Sequence, residues 1–186
     1  MIIVVVGPSG SGKTTFIKNL ISARSDFEII SVDVVSECRN YDQELGRRQV
    51  SNATFLKNEE NGYYTNTYIY DNSKYGFCLN KLSEEVVYVL DYPGEYPECN
   101  DMTPHKWIGV LVMPPCEKVL LHRLNIACRA NRINSAIEEY RECISDIVNG
   151  KFDGWIVVNN EKLLDITVGV KIIINKVANI KNMQLV

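Results

Sequence analysis

The feature that most constrains this chain is a glycine-rich loop near its start, set between an apolar run and a helix-period pattern. Residues 2–6 are all isoleucine or valine, and residues 7–15 read Gly-Pro-Ser-Gly-Ser-Gly-Lys-Thr-Thr. Apolar side chains then recur at helical spacing over residues 13–23. A strand, a Gly-x-x-x-x-Gly-Lys-Thr loop and a helix, in that order, are the context in which this motif binds phosphate. The segment therefore predicts a phosphate-binding loop, or P-loop.

The residues of the predicted P-loop divide between a phosphate cradle and a metal ligand. Its glycines let successive backbone N–H groups point at phosphate oxygens, and the positive end of the following helix adds to that field. Lys13 is predicted to bridge the outer phosphates, and the Thr14 hydroxyl to complete the coordination shell of a magnesium ion. The residues predicted to bind the nucleoside triphosphate are Gly7, Ser9, Gly10, Ser11, Gly12, Lys13, Thr14 and Thr15.

Composition favours a single-domain cytoplasmic protein without a nucleic-acid or membrane partner. A length of 186 residues, with 46% hydrophobic and 23% charged side chains, suits one globular domain. A net charge of −3 gives no reason to expect a nucleic-acid surface. Secretion and membrane insertion are not expected either, because the sequence shows neither a basic leader nor a long apolar segment. The six cysteines are scattered, with no Cys-x-x-Cys pair, so reduced structural thiols are predicted rather than a zinc site.

Beyond the P-loop, apolar runs alternate with helix-period patterns, with one exception. Residues 36–83 carry several arginines and a polar, tyrosine-rich stretch, which is typical of a small β-rich insertion. Strands that alternate with helices predict an α/β fold, in which a parallel sheet is covered on both faces and ligands bind at the carboxyl ends of the strands. Asp91 ends one such strand and is a candidate for holding magnesium. Strands are predicted over 27–35, 85–91, 107–113 and 155–158, and helices over 13–23, 117–129, 134–148 and 163–180.

Several short motifs, in the same order along nearly the whole chain, resemble those of the guanylate kinase family. The P-loop is the most specific of them, and the others gain weight from their order. These others are Lys-Tyr-Gly at 74–76, Val-Leu-Asp at 89–91, Val-Met-Pro-Pro at 112–115, Leu-His-Arg-Leu at 121–124, Arg129 and Arg132, Glu-Glu-Tyr-Arg at 138–141, and Phe-Asp-Gly-Trp-Ile-Val-Val-Asn at 152–159.

The resemblance implies a three-layer P-loop NTPase fold with a parallel sheet, forming a single kinase domain over residues 1–186. A small nucleotide-acceptor insertion would lie at 36–83 and a helical lid at 125–140. The core would then comprise residues 1–35, 84–124 and 141–186.

The resemblance also implies a reaction, which is transfer of the γ-phosphoryl group of ATP to a nucleoside monophosphate. The acceptor phosphate is already a nucleophile, so catalysis would consist of charge neutralisation and alignment. ATP would bind the P-loop, and Thr14 and Asp91 would hold Mg²⁺. The catalytic residues implied are Lys13, Arg129, Arg132 and Arg141.

The acceptor site implied by the resemblance is matched only in part. Arg39, Asn66, Tyr75 and Asp91 are the residues assigned to it. Where the family has a second phosphate-binding arginine this sequence has Asp42, unless Arg47 or Arg48 substitutes.

Two positions of the acceptor site bear on the base that it reads. Asn66 stands where the family has a guanine-reading glutamate, and Phe77 stands where it has threonine or serine. A shorter, neutral amide does not supply the acceptor pair that the guanine N–H edge needs, and an unmatched polar edge is costly. The sequence therefore leaves guanine specificity open.

Three other functions remain open on the sequence alone. The chain would be a kinase for another small phosphorylated acceptor, such as a ribose bisphosphate, or a catalytically inactive guanylate-kinase-like binding module. A GTPase switch is suggested by Asp91-x-x-Gly and by Asn175-Lys176, although Ala178 replaces the carboxylate of an Asn-Lys-x-Asp motif. The expected partners are small-molecule nucleotides, with no nucleic acid and no membrane, and the expected state is a monomer or homodimer.

Overall fold

The computed structural model describes residues 1–36, 45–70, 72–92, 106–127 and 130–182. The chain forms two compact units: Met1–Val4 with Ser25–Trp107, and Val5–Arg24 with Ile108–Val186. The strands are β1 (Ile2–Val6), β2 (Phe27–Ile29), β3 (Val32–Val35), β4 (Arg47–Gln49), β5 (Asn66–Tyr70), β6 (Ser73–Phe77), β7 (Val87–Asp91), β8 (Trp107–Met113) and β9 (Ile156–Asn159). The helices are α1 (Lys13–Ala23), α2 (Asn52–Glu60), α3 (Glu117–Ile126), α4 (Ile133–Val148) and α5 (Leu163–Asn182), and a 3₁₀ turn spans Ala130–Arg132.

One sheet has five parallel strands in the order β2-β7-β1-β8-β9. Its two outer strand pairs are both parallel, with Phe27 opposite Val87 in one and Val110 opposite Ile156 in the other. All five residues of β1 are buried, as expected for a strand covered on both faces. The predicted α/β fold with a parallel sheet is therefore confirmed.

The first unit contains a second sheet of four strands, in the order β4-β3-β6-β5. Strands β3 and β4 pair in parallel, whereas β6 pairs antiparallel with both β3 and β5. Side chains alternate between the two faces of this sheet, and the strand register shows which residues share a face. We call one of these faces the tyrosine face; its residues include Val32, Arg47, Asn66, Tyr68, Tyr75 and Phe77.

The second unit packs helices against one another and against β9. Helix α5 contacts both α1 and β9, and a Cβ at Gly169 would lie 2.8 Å from the side chain of Val158. Helices α3 and α4 meet in a separate cluster of the buried side chains Leu120, Leu124 and Ala136. No helix in the described part of the chain is long and apolar enough to cross a membrane.

The predicted strand over 27–35 is wrong, because the chain changes partner halfway along it. The N–H of Ile30 donates to Val89 O at 2.9 Å, in the five-stranded sheet, whereas the N–H of Val32 donates to Gly46 O at 2.9 Å, beside β4. The apolar run is therefore two strands in two sheets. The helix predicted over 117–129 ends at Ile126, and residues 128–129 lie outside the described residues.

Candidate phosphate-binding site

The loop between β1 and α1 needs its glycines for both backbone conformation and space. Gly7, Gly10 and Gly12 have φ values of +145°, +82° and +101°, where L side chains are strained. A Cβ at Gly7 would lie 2.2 Å from Val112 O, and one at Gly12 would lie 2.0 Å from Asn160 Nδ2. The predicted P-loop thus follows a path that only glycine allows at these positions.

The Lys13 side chain folds over this loop. Its Nζ donates to Gly7 O and, at 3.2 Å, to Pro8 O. Gly12 precedes α1 in the left-handed conformation and provides no side-chain cap. The N-terminus of a helix favours an anion, because backbone N–H groups and the positive end of the helix dipole point outward there. A positive side chain and the N-terminus of a helix therefore meet at one place, which suits the negative charge of a polyphosphate.

Two side chains that sequence reasoning missed, those of Asn160 and Arg123, donate hydrogen bonds to the backbone of the loop. Asn160 Nδ2 donates to Ser11 O at 2.8 Å, and Arg123 Nη1 donates to the same oxygen at 3.1 Å. The N–H of Asn160 in turn donates to Met113 O at 2.7 Å, which ties this residue to the end of β8. Burial lowers the pKa of Arg123. A signal was present, since Arg123 lies in the motif at 121–124 and Asn160 directly follows that at 152–159.

The two threonines of the predicted site are exposed at the start of α1, which leaves the hydroxyl of Thr14 accessible. Among the described residues, no three His, Cys, Asp or Glu side chains group closely enough to hold a metal by themselves.

Asp91 ends β7 and is only 4% exposed. Its Oδ2 forms an ion pair with Arg47 Nη2, while its Oδ1 has no hydrogen-bond partner among the described residues. Burial is the largest single influence on the pKa of Arg47 and acts to lower it, but the charges of Asp91, Tyr75 and Tyr68 and the hydrogen bond to Asp91 together outweigh burial, so the pKa is raised. The unpartnered carboxylate oxygen is compatible with the predicted role in holding a hydrated metal ion.

The tyrosine face brings the described acceptor candidates together. Tyr68 stacks on Tyr75 with centroids 5.1 Å apart and on Tyr92 with centroids 5.2 Å apart. Burial raises the pKa of Tyr68 well above its ordinary value, and its Oη has no hydrogen-bond partner among the described residues. Asn66 lies opposite Phe77 on the same face, and Arg47 links this face to Asp91.

The next residue, Arg48, lies on the opposite face of the small sheet. Arg48 makes two hydrogen bonds to the buried carboxylate of Asp33, at 2.7 and 3.0 Å, and these bonds raise its pKa. Tyr64 Oη donates to the same carboxylate at 2.8 Å. Of the two arginines that could substitute at Asp42, only Arg47 therefore shares a face with Tyr75.

The predicted catalytic arginines have different surroundings. Arg141 on α4 makes a two-point ion pair with Glu117, with an Nε to Oε1 distance of 2.7 Å, and its guanidinium is exposed. Arg132 is half-buried and immediately precedes α4. The predictions for Arg39 and Arg129 lie outside the described residues.

A parallel sheet, a glycine loop with its lysine and a following helix define a P-loop protein. The model of a family described as an AAA domain matches residues 2–70. The solved structure of guanylate kinase from Anaplasma phagocytophilum is similar at a TM-score of 0.65 and 18% identity, over 99% of this chain and 85% of that one. No curated protein matches the sequence. The chain therefore has a guanylate-kinase-like P-loop fold, and the resemblance is confirmed at the level of the fold.

Proposed function

We propose that this protein transfers the γ-phosphoryl group of ATP to a small phosphorylated acceptor, a nucleoside monophosphate being the first candidate. The observation that carries the proposal is the P-loop, with three glycines at positive φ and the Lys13 ammonium folded over it. The guanylate-kinase-like fold supports a nucleotide kinase in general. It leaves the acceptor open, because the identity is only 18%.

In the proposed mechanism the protein aligns and neutralises charge rather than forming a covalent intermediate. The loop N–H groups and Lys13 bind the phosphates of ATP and stabilise the charge on the transferred group. Thr14 and Asp91 are the proposed ligands of Mg²⁺, which when bound neutralises phosphate charge. Arg132 and Arg141, with Arg129, are proposed to add positive charge, and Arg141 would first have to leave Glu117.

The acceptor is proposed to bind at the tyrosine face, with Arg47 as the anchor of its phosphate. Arg47 is mostly buried, is positively charged and lies beside Tyr68 and Tyr75. Arg39 is proposed as a second anchor from the sequence alone. Asn66 and Phe77 do not reproduce a guanine-reading pair, so the proposal extends to other bases and to sugar phosphates.

A binding module without turnover is the second candidate. The observation in its favour is that Tyr68 stacks on two other rings, those of Tyr75 and Tyr92, and that Tyr75 is only 1% exposed. A face filled by its own side chains would have to open before an acceptor ring could stack there. The GTPase alternative gains nothing from Asn175 and Lys176, which lie inside α5 rather than in a loop after a strand.

The test of the proposed function is an ADP-release assay with Mg²⁺ and ATP, screening GMP, dGMP, AMP, CMP, UMP, dTMP and ribose bisphosphate. Turnover that depends on one of these acceptors is the expected result. Strong turnover with GMP would mean that Asn66 and Phe77 are tolerated replacements. ATP binding with no stimulation by any acceptor would favour the binding module, and a lack of ATP binding would refute both candidates.

Replacing Arg47 with methionine should raise the KM for the active acceptor about tenfold or more and leave the KM for ATP unchanged, because a charge-assisted phosphate contact is lost. Arg48→Met is the control, since it makes the same change on the same strand and also breaks an ion pair with a buried aspartate. Thermal unfolding should show that both variants remain folded, with the larger loss of stability in Arg47→Met, because the Arg47 side chain is 17% exposed and that of Arg48 is 59% exposed. An equal rise in acceptor KM in both variants would contradict the assignment of Arg47.

A further inference from the structure

A carboxylate of the chain itself occupies one of the backbone donors of the P-loop. The N–H of Ser9 donates to Glu139 Oε2 at 2.7 Å. Ser9 is 7% exposed and Glu139 is half-buried. A hydrogen bond to an ionised acceptor is roughly twice as strong as one between neutral groups. A donor suited to a phosphate oxygen therefore already has an anionic partner.

The fold builds this contact through helix α4. Glu139 and Cys143 lie four residues apart and so on one side of the helix. The pKa of Cys143 is raised to about 11, chiefly by burial, and the positive charge of Lys13 opposes that rise. This side of α4 is therefore close to both Ser9 and Lys13. On the same helix, the ion pair of Arg141 with Glu117 fastens α4 to α3.

We propose that Glu139 is an internal competitor for the P-loop, whose carboxylate must leave Ser9 before the phosphates of a nucleotide bind there. This inference rests on the proposed function of the loop. Two anions repel each other at one donor, so the carboxylate and a phosphate oxygen exclude each other. The affinity for nucleotide is reduced by the fraction of molecules in which the donor is closed. Nucleotide binding is thereby coupled to the position of α4.

The test compares Glu139→Gln with Glu138→Gln, which makes the same change at the exposed neighbouring residue. Binding of Mg²⁺–ATP is measured by titration calorimetry. Removing the competing charge should lower the Kd about tenfold in Glu139→Gln, since a charge-assisted bond no longer has to be broken. Glu138→Gln should match the wild type. The direction is diagnostic, because loss of a merely structural contact would weaken binding.

A second readout needs no nucleotide. The Ser9 amide resonance of ¹⁵N-labelled protein should shift in Glu139→Gln and stay in place in Glu138→Gln. An unmoved Ser9 resonance, or a Kd that is equal or higher in Glu139→Gln, would overturn the proposal and leave the proposed function intact. Failure of all three proteins to bind ATP would instead overturn the proposed function, and the competition with it.

Discussion

Replacing Lys13 with alanine should lower kcat/KM for ATP-dependent turnover by about a hundredfold or more, the loss seen when one charge-stabilising donor is removed from a reaction centre. The Lys13 ammonium donates to Gly7 O and Pro8 O and is thereby held at the mouth of the loop. The measurement is the ADP-release assay with the acceptor that the screen identifies.

The matched control for this variant is Lys171→Ala, which removes the same side chain from an exposed position on α5. Its activity should equal that of the wild type. Circular dichroism on both variants establishes that the fold is retained. A Lys13→Ala protein that keeps most of its turnover would remove the lysine from the mechanism and leave the loop as a binding element only.

Replacing Gly7 with alanine should lower the free energy of unfolding by about 3 kcal/mol, because an inserted methyl group must displace packed neighbours. The obstacle is the backbone oxygen of Val112, only 2.2 Å from the new Cβ, and a backbone atom of a central strand cannot rotate away. The φ of +145° adds strain of its own. Urea denaturation followed by circular dichroism measures the loss.

Gly154→Ala separates steric conflict from backbone strain. Gly154 has a φ of +82°, and a Cβ there would meet no atom within 4 Å. It should therefore lose only the strain of a left-handed residue, about 1–2 kcal/mol. Equal losses in the two variants would mean that contact with Val112 contributes nothing and that the loop shifts to accept a side chain.

The parts of the fold that were predicted from the sequence are those fixed by local pattern. Helix α1 spans Lys13–Ala23, as predicted, because the glycine-rich motif marks where it begins. Strand β8 spans Trp107–Met113, also as predicted, because an uninterrupted apolar run marks its extent. Helix α2 was missed. It buries only Phe55, so its apolar periodicity is weak. Its clearest sequence signal is a serine at the N-cap position, Ser51, whose side chain accepts a hydrogen bond from the N–H of Thr54.

The break in the predicted strand over 27–35 had no local signal either. Its two halves have the same apolar character, and only their hydrogen-bond partners, Val89 and Gly46, differ. Periodicity reports burial and does not report which sheet a strand joins.

The candidate site divides in the same way. The loop residues were predicted because a P-loop is defined by consecutive positions. Arg123 and Asn160 reach Ser11 from 112 and 149 positions away in sequence, and Glu139 reaches Ser9 from 130 positions away. Contacts of that separation depend on the tertiary fold. The motifs at 121–124 and 152–159 therefore marked the neighbourhood of Arg123 and Asn160 without showing that these residues contact the loop.

The opposed pairing of Arg47 and Arg48 has a consequence for how the small sheet assembles. Strand β4 has three residues and lies at an edge, so its backbone alone specifies its alignment weakly. If β4 shifted by one residue, each guanidinium would point to the opposite face of the sheet, and the buried carboxylates of Asp33 and Asp91 would lose their ion pairs. Each buried carboxylate left without its ion-pair partner lowers the stability of the fold by about 3–5 kcal/mol. The two ion pairs therefore fix the register of β4, the shortest strand of the small sheet, by making misaligned pairings unfavourable.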